Sequence, residues 1–426
     1  MNPEDICCSE YRNLSRRQFI NTSSRAALFL ASAPSWLPKV AFATTPGIQR
    51  DVIISVYLRG GSDGLTMCVP YADPDYYAAR PTLAIQPPGP DPGDAIDLDG
   101  FFGFPPAMAS LVEAFQNGDL AIVHATGSVD PSRSHFDAQR YMEVGKPADP
   151  EVNSGWLARH LLTVPPMSDS PLRGISLSYG MQATLSGAPK SIPIPNLDAF
   201  GLTGNNSTMQ SRKSWLDEAY AWADMALSAA ANDTQRAIDL LEQINFANYQ
   251  PAGGAVYPSN SFGVGMKSVA ALLKADVGVE AVHLDLGGWD THAAQGVLSG
   301  AMASLMQTLS STLGAFHADM FATSNTNFIA VVVSEFGRVV AQNGSEGTDH
   351  GHGNCMMLLG GGVNGGTVYR DWPGLAMEQR FQERDLAITI DHRDILAEVV
   401  TKRLANPNLP VVFPDYVPTF RGVVEG

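Results

Sequence analysis

Five short apolar runs constrain this chain most: Asp51 to Leu58, Leu120 to Ala125, Gly174 to Ser178, Ala281 to Leu286 and Phe328 to Val333, each breaking off into glycine or polar residues. Continuous runs bounded by turn residues predict strands buried on both faces, since a half-exposed strand would alternate. Helical stretches lie between them, and Met302 to Met320 carries apolar residues three and four apart. The alternation predicts an α/β fold, a mostly parallel sheet with helices on both faces. The Pro- and Gly-rich segment Gln86 to Pro106 reads as a surface loop. From Ser211 to Phe246, Trp215-Leu216, Ala219-Tyr220, Ile238 and Leu240-Leu241 recur at helical spacing, which predicts a two-helix insertion at about 205–250.

In an open parallel sheet, ligands sit outside the carboxyl ends of the strands. The residues at those positions here are Asp63, then Ser128 to His135 in GSVDPSRSHFDAQ, Asp290 and His292 in GGWDTH, Glu335 and Arg338 in SEFGR, and Asp349, His350 and His352 in GTDHGHG. Carboxylates mixed with imidazoles suit zinc, manganese or iron, whereas calcium takes oxygen alone and structural zinc recruits cysteine. Asp63, Asp290, His292, Glu335, Asp349, His350 and His352 make seven candidate ligands, enough for one divalent ion or for two about 4 Å apart. Each has a plainer counterpart. Asp63 stands in a Gly-Ser-Asp-Gly turn, and Glu335 with Arg338 could be a surface pair. Trp289 and Trp372 read as packing residues, His124 and His283 as core histidines within strands, and His392 as a spare ligand.

Arg16-Arg17, the apolar run Ala26 to Leu37 and Ala41-Phe42-Ala43 form the order of an export leader, so residues 1–43 are expected to be removed and 44–426 to form the mature domain. The apolar run is too short and proline-broken to anchor in a membrane. Cys7 and Cys8 fall in the leader; Cys68 and Cys355 alone make no disulfide scaffold. The formal charge of −16 excludes nucleic acid as an expected partner.

The leader, the block YLRGGSDGLTMCVPYADPDYYAARPTLAI, SRSHFDAQRYME, LDLGGWDTH, VVVSEFGR and GTDHGHG followed by CMMLLGGG resemble the exported domain-of-unknown-function family 1501, a branch of the alkaline phosphatase and sulfatase superfamily. The resemblance implies that superfamily's fold, the twin-arginine export machinery as a partner, folding before export, and a periplasmic or secreted destination. It also implies that Asp63 binds one metal and Asp290 with His292 the other. Asp349-His350 then matches a paired Asp-His ligand set with His352 outside it, or Glu335 matches that acid and His350 or His352 a late third histidine. In the sulfatase C/S-x-P-S-R motif the nucleophile position falls on Val129, so no formylglycine can form. Ser134 or Ser132 at a helix start could substitute, with His135 as ligand or base and Arg338 beside them. The expectation is a metal-dependent hydrolase of small anionic phosphate or sulfate esters. The alternative is a non-catalytic exported metal-binding or assembly protein; a purely structural metal site is a third reading, and would need a closed ligand shell.

Overall fold

The computed structural model describes residues 50–202 and 204–426. Arg16-Arg17 and the cleavage site expected after Ala43 lie outside the described residues. Eleven strands are described: β1 (Val52–Arg59), β2 (Ile96–Asp97), β3 (Gly103–Phe104), β4 (Leu120–Gly127), β5 (Gly174–Ser176), β6 (Ser191–Pro193), β7 (Ala281–Gly287), β8 (Phe328–Ser334), β9 (Asn354–Gly360), β10 (Thr367–Tyr369) and β11 (Ile390–Asp391). Nine of them form one sheet in the order β10-β4-β9-β8-β1-β7-β5-β6, with β11 also paired to β4. The molecule is an α/β protein with a mixed, mostly parallel sheet.

The five expected runs supply β1, β4, β5, β7 and β8. β1 lies between β7 and β8 and is parallel to both. β9 alone among the described strands of this sheet runs antiparallel, against β4 and against β8. That reversal has a functional consequence. The carboxyl ends of β1, β4, β7 and β8 share one edge, and the amino end of β9 meets them there, so the whole 335–353 connection lies at that edge.

Both faces of the sheet are covered, as continuous apolar strands require. On one face Ile53 and Tyr57 of β1, Val123 of β4 and Val331 of β8 share a buried cluster with Met142, Trp156, Leu161 and Leu396 from helices His135–Val144, Trp156–Thr163 and His392–Lys402. On the other, Phe316 of helix Ala301–Phe321 meets Phe328 ring to ring at 5.0 Å. There too a side chain added to Gly265 in helix Ser261–Lys274 would touch Leu284 at 3.5 Å. β4 carries a register shift at Ala125, whose φ of 53° marks a bulge just before the 128–134 loop.

Leu197–Ala247 forms a compact unit of its own. Its helices Met209–Ala221 and Met225–Leu241 are joined by a short turn in which Asp224 caps the second helix through the Leu227 amide, 2.9 Å. Leu202, Met209, Leu216 and Ile238 form its buried centre.

At the edge opposite the carboxyl ends, Glu280 is buried between Arg50 (2.6 Å) and Arg173 (2.7 Å), each just before a strand. Removing the acid would leave two buried guanidiniums without a counter-charge, so Glu280→Ala is expected to cost about 3–5 kcal/mol in urea denaturation. A second expectation concerns the 335–353 connection, where Gly351 passes so close to the Arg338 backbone that a Cβ would lie 2.3 Å from its carbonyl carbon. Gly344 in the same connection has nothing within 4 Å of that position. Gly351→Ala should therefore lose about 1–3 kcal/mol in the same measurement while Gly344→Ala stays near wild type; equal effects would contradict the close approach.

Candidate metal centre

The centre is assembled from the loop after β4, the loop after β7 and the β8–β9 connection. Asp290 stands at its middle. Its Oδ1 lies 2.9 Å from His292 Nε2, 3.0 Å from His350 Nε2 and 2.7 Å from Arg338 Nη2. His135, the first residue of its helix, places Nε2 3.5 Å from Asp290 Oδ2, and that buried nitrogen has no hydrogen-bond partner among the described residues. His135, Asp290 and His350 each offer a ligand atom within 4.8 Å of the others, and His292 Nε2 lies 3.0 Å from His350 Nε2.

Each histidine also has an acceptor against its other ring nitrogen. His350 Nδ1 lies 2.9 Å from the Arg133 carbonyl, which can only accept, and its Nε2 lies against the Asp290 carboxylate. His292 Nδ1 lies 3.1 Å from Asp349 Oδ1, with Asp290 against its Nε2, and His135 Nδ1 lies 2.8 Å from Glu335 Oε1. With the hydrogen of each neutral ring on Nδ1, which these far-side acceptors permit, all three Nε2 atoms present lone pairs toward one carboxylate. Lone pairs at these distances with no proton between them repel one another, and a cation among them removes the repulsion. A backing acceptor on the far nitrogen is also how metal-binding histidines are held.

The acids have different tasks. Burial alone would raise the Asp290 carboxyl, but the hydrogen bond and positive charge of Arg338 prevail and bring it to about 2. Asp349 is lowered by its hydrogen bonds from His292 and Asn343. Glu335 is buried and would be raised, yet hydrogen bonds from His135 and Gln139 outweigh this and lower it. Its Oε1 also accepts from the Gly60 amide at 2.8 Å and its Oε2 from Ser334 at 3.0 Å. No lysine or arginine pairs with Glu335 in the described structure. The hydrogen bond to Glu335 raises the His135 pKa, with burial opposing.

Several residues expected at the site stand elsewhere or act differently. Asp63 is not in the cluster: its buried carboxylate is paired with Arg80 at 2.6 and 3.0 Å and also accepts from Thr66 and Gln295, each at 2.7 Å. Three of these donors meet Oδ2 and one meets Oδ1. Glu335 and Asp349 orient histidines and are not themselves gathered at Asp290. His352 is buried with its ring stacked on Phe381, 4.2 Å between centroids, and burial lowers its pKa to about 4. Arg338 is buried and spends its nitrogens on the carbonyls of Gly60, Gly61, Trp289 and Thr348 as well as on Asp290. Ser134 occupies the N-cap position of the His135 helix without a side-chain capping bond, and Ser132 accepts from its amide at 3.2 Å. His392 bonds the Gly127 carbonyl at 3.1 Å and is fully buried away from the cluster. His124 and His283 are buried and hydrogen-bonded, to Cys68 O and to Ser55 and Asp285. Trp289 and Trp372 are packed, with indole nitrogens bonded to Leu286 O and Asp73.

Sequence reasoning missed Arg80, Gln139 and Gln295. Arginine and glutamine carry no metal-ligand signal, and only the pairing across the fold reveals them.

No curated protein sequence matches the chain. Among solved structures it is similar to the zinc complex of the C-terminal periplasmic domain of EptC from Escherichia coli, at 10% identity and a TM-score of 0.38, covering 92% of this chain and 94% of that one. It is similar to a protein in the alkaline phosphatase superfamily from Vibrio parahaemolyticus, at 9% identity and a TM-score of 0.30, covering 82% and 70%. A phosphonoacetate hydrolase from Sinorhizobium meliloti gives 14% identity and a TM-score of 0.26, covering 71% and 60%. At such scores these likenesses say nothing of the site, whose chemistry rests on its own residues. Residues 130–399, more than half of the chain and nearly all of the centre, match one family, and the chain belongs to it: the protein of unknown function family DUF1501.

Proposed function

We propose that this protein is an exported, metal-dependent hydrolase of small anionic phosphate or sulfate esters, built on an alkaline phosphatase-like fold around a single divalent ion held by His135, Asp290, His292 and His350. The observation that carries the reading is the common orientation of three imidazoles, each fixed at Nδ1 by an acceptor with Nε2 turned to Asp290. The donor set passes a chemical test. Three imidazole nitrogens and one carboxylate oxygen suit zinc, and also manganese or iron, better than calcium. One ion is preferred to two because Asp63 and Glu335, the acids a second ion would need, are each already engaged by protein partners on both oxygens.

The bound ion would supply Lewis acidity toward a phosphoryl or sulfuryl oxygen. Asp290, with its low pKa, stays a carboxylate at neutral pH. Glu335, Asp349 and the Arg133 carbonyl hold the three rings in the tautomer that presents Nε2. Ser134 is the candidate nucleophile: it sits between Arg133, whose carbonyl holds His350, and His135, and its hydroxyl is not used as a helix cap. His135, with Nδ1 committed to Glu335, is assigned as a ligand and not as the base.

Export through the twin-arginine machinery, cleavage near Ala43 and a periplasmic or secreted location complete the reading, supported by Arg16-Arg17 and Ala41-Phe42-Ala43. No described helix is long and apolar enough to cross a membrane. Val129 at the sulfatase nucleophile position favours the alternative, a non-catalytic metal-binding or assembly protein on the same fold.

The metal-free chain titrated with zinc is expected to bind one ion. His135→Ala, His292→Ala, His350→Ala and Asp290→Ala should each abolish that binding, whereas Glu335→Gln and Asp349→Asn should weaken it about 10–100-fold. Ser134→Ala should keep the ion and lose turnover of aryl phosphate and aryl sulfate. A wild type that takes up no divalent ion sinks the metal reading. A loaded wild type that turns over no phosphate, sulfate or phosphonate ester, with Ser134→Ala indistinguishable from it, selects the non-catalytic alternative.

A further inference from the structure

Asp63 touches none of the proposed ligands, yet a single fully buried side chain links it to two of the loops that carry the centre. Gln295 donates from Nε2 to Asp63 Oδ2 at 2.7 Å. Its Oε1 accepts from Thr348 Oγ1 at 2.7 Å and from Thr291 Oγ1 at 3.2 Å. Thr291 immediately precedes His292, and Thr348 immediately precedes Asp349. The two threonines are also bonded to each other through the backbone, Thr348 N to Thr291 O at 3.2 Å. Asp63, in turn, is held in place by Arg80, whose guanidinium also donates to the Val339 and Val340 carbonyls at 3.0 and 2.8 Å. Arg80, Gln295 and Thr348 are fully buried and Asp63 is 1% exposed, so water does not compete for these bonds.

We infer that Gln295 is a positioning residue that transmits the Asp63–Arg80 pair to the His292–Asp349 hydrogen bond, and so sets which nitrogen of His292 is presented to the centre. An amide is the side chain the task requires, because it must donate toward a carboxylate at one end and accept from hydroxyls at the other. A carboxylate in its place would face Asp63 without a donor, and an apolar residue would release both threonines. The inference rests on the proposed assignment of His292 as a ligand, but its primary readout needs no metal.

That readout is the imidazole nitrogen-15 spectrum of the metal-free full chain with its histidines neutral, His292 being assigned by the signals lost in His292→Asn. The wild type should show His292 as a single tautomer protonated at Nδ1. Gln295→Met, which keeps the length and removes both hydrogen-bonding ends, should show a mixture of tautomers. Thr348→Val, which removes one hydroxyl from the chain of contacts with little change of shape, should move in the same direction and serves if Gln295→Met does not fold. In the metal arm, Gln295→Met and Asp63→Asn should each weaken zinc binding about 10–100-fold. Their combination should be no weaker than the worse single variant, because both act through one path. A folded Gln295→Met or Thr348→Val with a wild-type His292 tautomer overturns the inference, as does simple additivity of the two metal-binding losses. Absence of zinc binding in the wild type would instead overturn the ligand assignment, while the tautomer comparison would still decide the role of Gln295.

Discussion

The Arg338 guanidinium is the point on which the centre depends. It lies buried where the loop after β1, the loop after β7 and the β8–β9 connection meet, and it bonds to all three through Gly60, Gly61, Trp289, Asp290 and Thr348. Three carbonyl-bearing segments brought together without such a donor would leave acceptors unsatisfied in a buried place, at about 1–3 kcal/mol each. A lysine could not replace it, because one ammonium cannot reach acceptors spread over this fork. The same group donates to Asp290, so the residue that joins the loops also holds the central carboxylate ionised. Folding of the edge and readiness of the site are in this respect one event.

The centre is placed there by the direction of a single strand. The apolar runs of β1, β4, β7 and β8 are long enough to be read as strands, and the glycine-ended run CMMLLGGG reads as another. Strand direction is another matter. Nothing in the apolar pattern of Asn354–Gly360 says that it runs against its neighbours, because a strand buried on both faces looks the same in either direction. The short strands β6, β10 and β11 carry too few residues for any period to show. Their pairing is decided by what lies alongside them in the sheet.

Among the site residues, what could be read was position along the edge, and what could not was the partner of each side chain. Asp290, His292 and His350 were legible because acids and histidines after strands are rare in a chain that is only 16% charged. His135 was legible as a residue with a role, ligand or base, but its Glu335 partner at Nδ1 was not. Asp63 follows a strand as a ligand would, and its neutralisation depends on Arg80, seventeen residues on and without any motif. The spacing His350-Gly-His352 suggests two equivalent ligands, yet successive side chains of an irregular loop need not share a direction. Here one ring meets Asp290 and the other stacks on Phe381.

The distribution of charge gives the last step. Asp290 and Arg338 neutralise each other at the middle of the cluster, which leaves Glu335 and Asp349 as the carboxylates behind the rings. Glu335 is the more demanding of the two, being buried with hydrogen bonds but no arginine or lysine partner among the described residues. A buried carboxylate without a counter-charge is costly, and hydrogen bonds offset only part of that cost. Without an ion the structure relieves this by favouring a proton on His135, which is the sense of its raised pKa. With a divalent ion at Asp290 the two positive charges would face two outer carboxylates, one across His135 and one across His292. The imidazoles then act as polar spacers between cation and anion, and the formal charge of the loaded cluster closes to zero without a carboxylate on every ligand position. On that arithmetic a cation here would be held through outer acids as much as through inner ligands, which is how Glu335 and Asp349 would matter to a centre they do not touch.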